Sequence, residues 1–184
     1  PITRKYGRSF YSGATFRKAA ATRFEFLRPD GGIDVFAQPD GWTGRIFLKE
    51  VIDPQGNKTT INYDANLRIT SIVDALGQTT SITYMASTLG VSGSYFDPTG
   101  FYKIKRITDP FGRYAEFSYV NNVSQLSNIR DVIGINSSFL YDTDGFLKRL
   151  TTPYGTTDFY KFTPAEDATA RGLLAVLPDG SQEA

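Results

Sequence analysis

The residues best suited to chemistry in this chain are carboxylates, and the closest pair lies in Asp142-Thr143-Asp144-Gly145. Alternating acids in a turn suit a hard cation that takes oxygen ligands, but a calcium loop also needs a closing Glu, and none stands at a suitable distance. A hairpin turn is the expected reading of these four residues. The same two acids would serve glycoside hydrolysis only if they faced each other across a cleft, which the sequence does not indicate. Histidine and cysteine are both absent. That removes Ser-His-Asp and Cys-His catalysis, imidazole and thiolate metal sites, and disulfides. No catalytic residue, metal site or cofactor is expected, and the chain is not expected to be an enzyme.

Residues that bind rather than react are more plentiful, with 11 Tyr, 14 Phe and one Trp. Aromatic rings suit the pleated surface of a sheet, and exposed ones stack on sugar rings. Trp42, in Asp40-Gly41-Trp42-Thr43-Gly44, and Tyr95 and Phe96, in a Ser-, Thr- and Gly-rich stretch over 86–99, are the candidates for ligand contact on loops. Twenty basic against nineteen acidic residues leave a net charge of +1, so no nucleic-acid partner is expected. Arg4, Lys5, Arg8, Arg17, Lys18 and Arg23 all precede the first acid, Glu25, and read as a solvated face or a contact with other parts of a parent protein, with an anionic partner as the alternative. No apolar run is long enough for a membrane-spanning helix. The chain begins at Pro1 rather than Met, which suggests a segment of something longer.

An internal repeat organises these residues. Gly56, Gly77, Gly112, Gly134 and Gly155 follow one another at spacings of 21, 35, 22 and 21, the longest containing the 86–99 insertion. Five residues after each glycine stands Ile61, Ile82, Phe117, Phe139 or Tyr160, and seven after it Tyr63, Tyr84, Tyr119, Tyr141 or Phe162. Positions two apart point to the same face of a strand, so each unit presents a bulky pair to one side. Asp53, Asp74, Asp109 and Asp131 stand three residues before their glycines, with Thr152 breaking the series. An Asp that bonds its own turn and a Gly that tolerates positive φ make Asp-x-x-Gly a turn. Aliphatic residues precede each turn in pairs three apart, as in Leu48 and Val51, or Ile69 and Ile72. In an unbroken strand such a pair would face opposite ways, so a bulge or bend, or burial on both faces, is implied. A second turn follows each Tyr, and turns about every ten residues describe an antiparallel hairpin meander. Shortened copies surround Pro29-Asp30-Gly31 and Pro178-Asp179-Gly180. The last copy is incomplete, which leaves an edge strand able to pair with another molecule. Thr163-Pro164-Ala165-Glu166 has the capping pattern of a short helix within 163–177.

The stretch from Tyr141-Asp142 through Gly145, Leu147 and Leu150 to Gly155 resembles the RHS or YD repeat, as does Tyr63-Asp64 through Leu67 and Ile69 to Gly77. Tyr84 and Tyr119 keep the ring but are followed by Met85 and Val120 rather than Asp. The resemblance covers about 48–162 and implies a continuous β-sheet, curved or spiralling into a hollow shell, as in polymorphic toxins, insecticidal toxin complexes and teneurins. Asp109-Pro110-Phe111-Gly112-Arg113 departs from the family's self-cleavage signature at Arg113, so only the sheet is carried over. The expected organisation is an amino-terminal β segment over 1–47, tandem repeats over 48–162, and a linker or helix with a truncated repeat over 163–184. By the resemblance, the chain would be a structural part of a secreted or cell-surface shell, its partners the rest of the parent protein or an enclosed cargo. The alternative is a carbohydrate-binding module for cell-surface glycans.

Overall fold

In the computed structural model the described residues are 7, 9, 11–39, 44–85, 101–120, 125–163 and 170–184. They form an all-β antiparallel meander whose strand order is the order of the chain, with no crossover. Two compact units divide it, residues 1–82 with 108–112 and residues 83–107 with 113–184. The first carries β1 (Thr15–Lys18), β2 (Arg23–Leu27), β3 (Ile33–Ala37), β4 (Phe47–Ile52), β5 (Lys58–Tyr63), β6 (Ile69–Val73) and most of β7 (Thr79–Tyr84). The second carries most of β8 (Ile104–Thr108), then β9 (Tyr114–Tyr119), β10 (Leu126–Arg130), β11 (Asn136–Tyr141), β12 (Leu147–Thr152), β13 (Gly155–Phe162), β14 (Gly172–Val176) and β15 (Gln182–Glu183).

The aliphatic pairs three apart reach the same face through a bulge that recurs in each unit. Asn62 faces Ser71 while Tyr63 faces Ile69, so Thr70 is the extra residue in its strand. Lys49, Ser127 and Lys148 are skipped in the same way opposite β3, β9 and β11. Each inserted residue restores the parity that a spacing of three would lose. In the first unit this aligns Phe24, Phe36, Leu48, Val51, Ile61, Tyr63, Ile69 and Ile72 on one face. In the second it aligns Phe117, Tyr119, Leu126, Ile129, Phe139, Tyr141, Leu147 and Leu150.

These faces are not closed cores. Among the described residues the buried hydrophobic side chains are Ala14 and Val35, and the aligned rings and aliphatics are half-buried. The strands form one sheet, and a single sheet covers its side chains only with their own neighbours. The most buried polar group, Glu25, lies on the other face of the first unit with Val35.

The helix expected to begin at Thr163-Pro164-Ala165-Glu166 falls on residues 164–169, which lie outside the described set; the end of its window is strand β14, where Leu173 and Ala175 pair with Lys161 and Phe159. One expectation is corrected. Tyr160 and Phe162 do not join the apolar face. Thr152 pairs directly with Gly155, so this turn is shorter than the others, and Leu150 faces Thr157. The parity of β13 therefore flips: Phe159 takes the apolar side, while Tyr160 and Phe162 are 48% and 44% exposed on the other.

Candidate functional site

The repeated element with defined chemistry is the turn. In Asp53-Pro54-Gln55-Gly56-Asn57 the Gly56 amide donates to the Asp53 carbonyl at 3.0 Å and the Asp53 amide to the Asn57 carbonyl at 3.0 Å. Asp53 Oδ1 accepts from the amides of Gln55 at 2.9 Å and Asn57 at 2.8 Å, and Gly56 takes φ +89°. This is a three-residue hairpin loop closed by a left-handed residue. Asp74, Asp131 and Asp142 hold their turns by the same two amides, two and four residues on. So does Asp64, although its left-handed residue is Leu67, at φ +64°. The turns after Tyr63 and Tyr141 are thus the same turn as those before them. In the shortened copies the aspartate moves inside the loop, where Asp30 bonds the amide of Gly32 and Asp179 that of Ser181.

These bonds set the carboxylates' acidity. The Asn57 side chain and the turn amides hold Asp53 below its ordinary value. The Phe146 amide, with Lys161 and the Asp144 amide, does the same for Asp142. Lys161 answers the cation question raised by Asp142-Thr143-Asp144-Gly145: its Nζ lies 3.2 Å from Asp142 Oδ2, 3.0 Å from Asp144 Oδ2 and 5.0 Å from the centre of the Phe146 ring. A lysine thus sits between the two acids. A glycosidase acid would need a carboxyl raised toward neutrality, and Asp142 is shifted the other way. Among the described residues no three metal-ligating side chains cluster.

The ring positions make a second recurring contact. Tyr63 Oη donates to the Leu48 carbonyl at 2.7 Å and Tyr119 Oη to the Ile104 carbonyl at 2.9 Å, in both cases fifteen residues back. Desolvation pushes the pKa of both phenols up. Tyr84 and Tyr141 are half-buried at the same repeat position. Gly77, Gly112 and Gly134 have φ of +80°, +81° and +87° in their turns, and Gly155 has +131°.

The opposite face carries charge in matched pairs. Glu25 accepts from Arg17 and Arg23, Arg23 reaches Glu50 at 3.3 Å, and Glu50 meets Lys58 at 3.3 Å. Burial pushes the Glu25 carboxyl up, but the Arg23 and Arg17 hydrogen bonds outweigh it and leave it below the ordinary range. In the second unit Arg106 pairs with Glu116, and Arg149 holds Asp158 through two bonds, at 2.6 and 3.1 Å. Arg17, Lys18 and Arg23 are therefore part of the sheet, with Lys18 placed 5.5 Å from the Phe24 ring centre.

Sequence reasoning missed one series. Leu76, Phe111, Ile133 and Tyr154, each just before its turn glycine, are 84%, 72%, 77% and 85% exposed. Their shared position was visible in the alignment on the glycines, but not their exposure. The ligand candidates Trp42, Tyr95 and Phe96, the 86–99 insertion, and Arg4, Lys5 and Arg8 lie outside the described residues. Among the described residues no helix is long and apolar enough to cross a membrane.

No family model and no curated protein matches this chain. Among solved structures it is similar to the Photorhabdus luminescens Tc holotoxin pore, at 10% identity and a TM-score of 0.42, over 91% of this chain. The match spans 11% of that much longer chain.

Proposed function

We propose that this chain is a non-catalytic wall segment of an RHS-type shell, belonging to a secreted or surface-exposed parent protein. In this reading its repeated hairpins form sheet, and its apolar face turns toward other parts of the parent or an enclosed cargo. One observation carries the reading: hairpin after hairpin places rings and aliphatics on one face, yet leaves them half-exposed. A face built so regularly and left uncovered suits a surface completed by something else. The YD-like sequence of the units agrees with it. The test is binding of the dye ANS to the isolated chain. Bright, saturable binding, reduced by Ile61→Glu with Ile72→Glu but not by Thr60→Glu with Ser71→Glu on the other face, is expected. A chain that binds no dye and is unaffected by either pair would overturn the reading.

A second reading, a carbohydrate-binding module, is favoured by a different observation. Tyr160 and Phe162 stand two apart on the polar face, half-exposed, beside the Arg149–Asp158 pair. Rings that cover the apolar face of a sugar beside fixed donors and acceptors suit a pyranose. A glycan array probed with the wild-type chain and with Tyr160→Ala tests it; no glycan retained by the wild type would end it.

A further inference from the structure

Thr152-Pro153-Tyr154-Gly155 has nearly the residue pattern of Asp109-Pro110-Phe111-Gly112 but makes a different turn. Gly112 donates to the Asp109 carbonyl at 3.1 Å and Phe111 to Asp109 Oδ1 at 2.9 Å, as in the other Asp turns. Thr152 instead pairs with Gly155 across a two-residue connection. Favoured two-residue hairpin turns need positive φ at their first central residue, and Pro153 cannot supply it. Gly155, at φ +131°, is also displaced from the +80° to +89° of Gly56, Gly77, Gly112 and Gly134. The Tyr154 amide already donates to Thr152 Oγ1 at 3.2 Å, the first of the two bonds an aspartate makes in the longer turn.

A slip of one residue between β12 and β13 would complete that longer turn over 152–156. Leu150 would then face Asp158 rather than Thr157, and Tyr160 and Phe162 would move to the apolar face, at the places of Ile61 and Tyr63. Asp158 would occupy the place that Asp34, also three residues after its glycine, fills in the first unit. The observed register is held by Arg149–Asp158 and by Lys161 between Asp142 and Asp144, contacts whose cations are half-exposed and which are individually weak. The shifted register would remove two half-exposed rings from water once the apolar face is covered.

We propose that β13 is a register switch with two pairings to β12, the observed one held by ion pairs while the apolar face is open and the shifted one favoured when that face is covered. It is a two-state element biased by differential burial, so whatever covers the face selects the second state.

Disulfide trapping tests this in the whole chain, which has no cysteine of its own. Thr151 and Thr156 face each other in the observed register, with hydroxyls 3.3 Å apart, so Thr151→Cys with Thr156→Cys reports that register. Thr151→Cys with Thr157→Cys points to opposite faces there and comes opposite only after the slip. Thr151→Cys with Phe159→Cys is opposite in neither and sets the background. The 151–157 pair is expected to cross-link above background in the otherwise unchanged chain. Adding Thr152→Asp should raise its yield several-fold and lower that of the 151–156 pair, whereas Tyr160→Ser with Phe162→Ser should suppress it. A 151–157 yield at background in both the unchanged and the Thr152→Asp chains, with the 151–156 pair fully cross-linked, would overturn the switch.

Discussion

The Tyr63 hydroxyl donates to the Leu48 carbonyl across 2.7 Å, and that carbonyl lies beside the bulge formed by Lys49. The regular pairing of β4 with β5 runs from Glu50 to Ile52, so Leu48 lies just past its end. The phenol supplies a donor there, in a strand whose pairing on the other side is interrupted by the inserted residue. Tyr119 repeats the contact with Ile104.

Tyr63→Phe should therefore remove a hydrogen bond while keeping the ring, at a cost of about 1 kcal/mol. Tyr63→Ala should cost about 2 kcal/mol, less than the ~3–5 kcal/mol of a fully buried ring, because the side chain is half-buried. Urea denaturation followed by circular dichroism measures both; equal losses would show that the ring contributes nothing beyond its hydroxyl.

Gly56 takes φ +89° with open space around the position of a Cβ, so Gly56→Ala tests backbone strain alone. A loss of about 1 kcal/mol is expected from the left-handed penalty. Leu67 occupies the same region with a side chain, so Leu67→Gly should raise the melting temperature. A fall would mean that Leu67 packing outweighs its strain.

Acid should loosen the turns before the sheet. Asp53 and Asp142 have folded-state pKa values below their ordinary ones, so their contribution is present above about pH 4 and is lost as pH falls through the depressed values. The shifts of Tyr63 and Tyr119 are upward, so theirs is complete below about pH 10 and lost as pH rises through the raised values. Melting temperatures across pH 2–12 should show a plateau falling at both ends, and Asp53→Asn should flatten part of the acid limb.

Glu25 is 5% exposed and is held by two guanidinium groups. Glu25→Gln should cost about 1–2 kcal/mol, because Arg17 and Arg23 would lose a charged acceptor but are 37% and 41% exposed, so water screens what is left. Replacing Glu25 and Arg17 together by Leu should recover part of that loss; a double variant as unstable as the single one would show that the ion pair is not the cause.

The repeat, the antiparallel meander and the need for a bulge were legible in the chain because each rests on local rules. Asp-x-x-Gly closes a turn by bonds within five residues, and a spacing of three cannot share a face without an inserted residue. The second Asp turns were legible at Asp142 but disguised at Asp64, where Leu67 stands in the place of glycine. What required the tertiary structure was everything that depends on which strand lies opposite. Lys161 meets Asp142 and Asp144 only because β13 lies beside β12 in a particular register, and the one-residue difference between the Thr152 and Asp109 turns decides which face receives Tyr160 and Phe162. Only the structure showed the two faces of the sheet and left the rings half-covered, because burial depends on what lies above a surface, and a sequence period of two specifies only the surface.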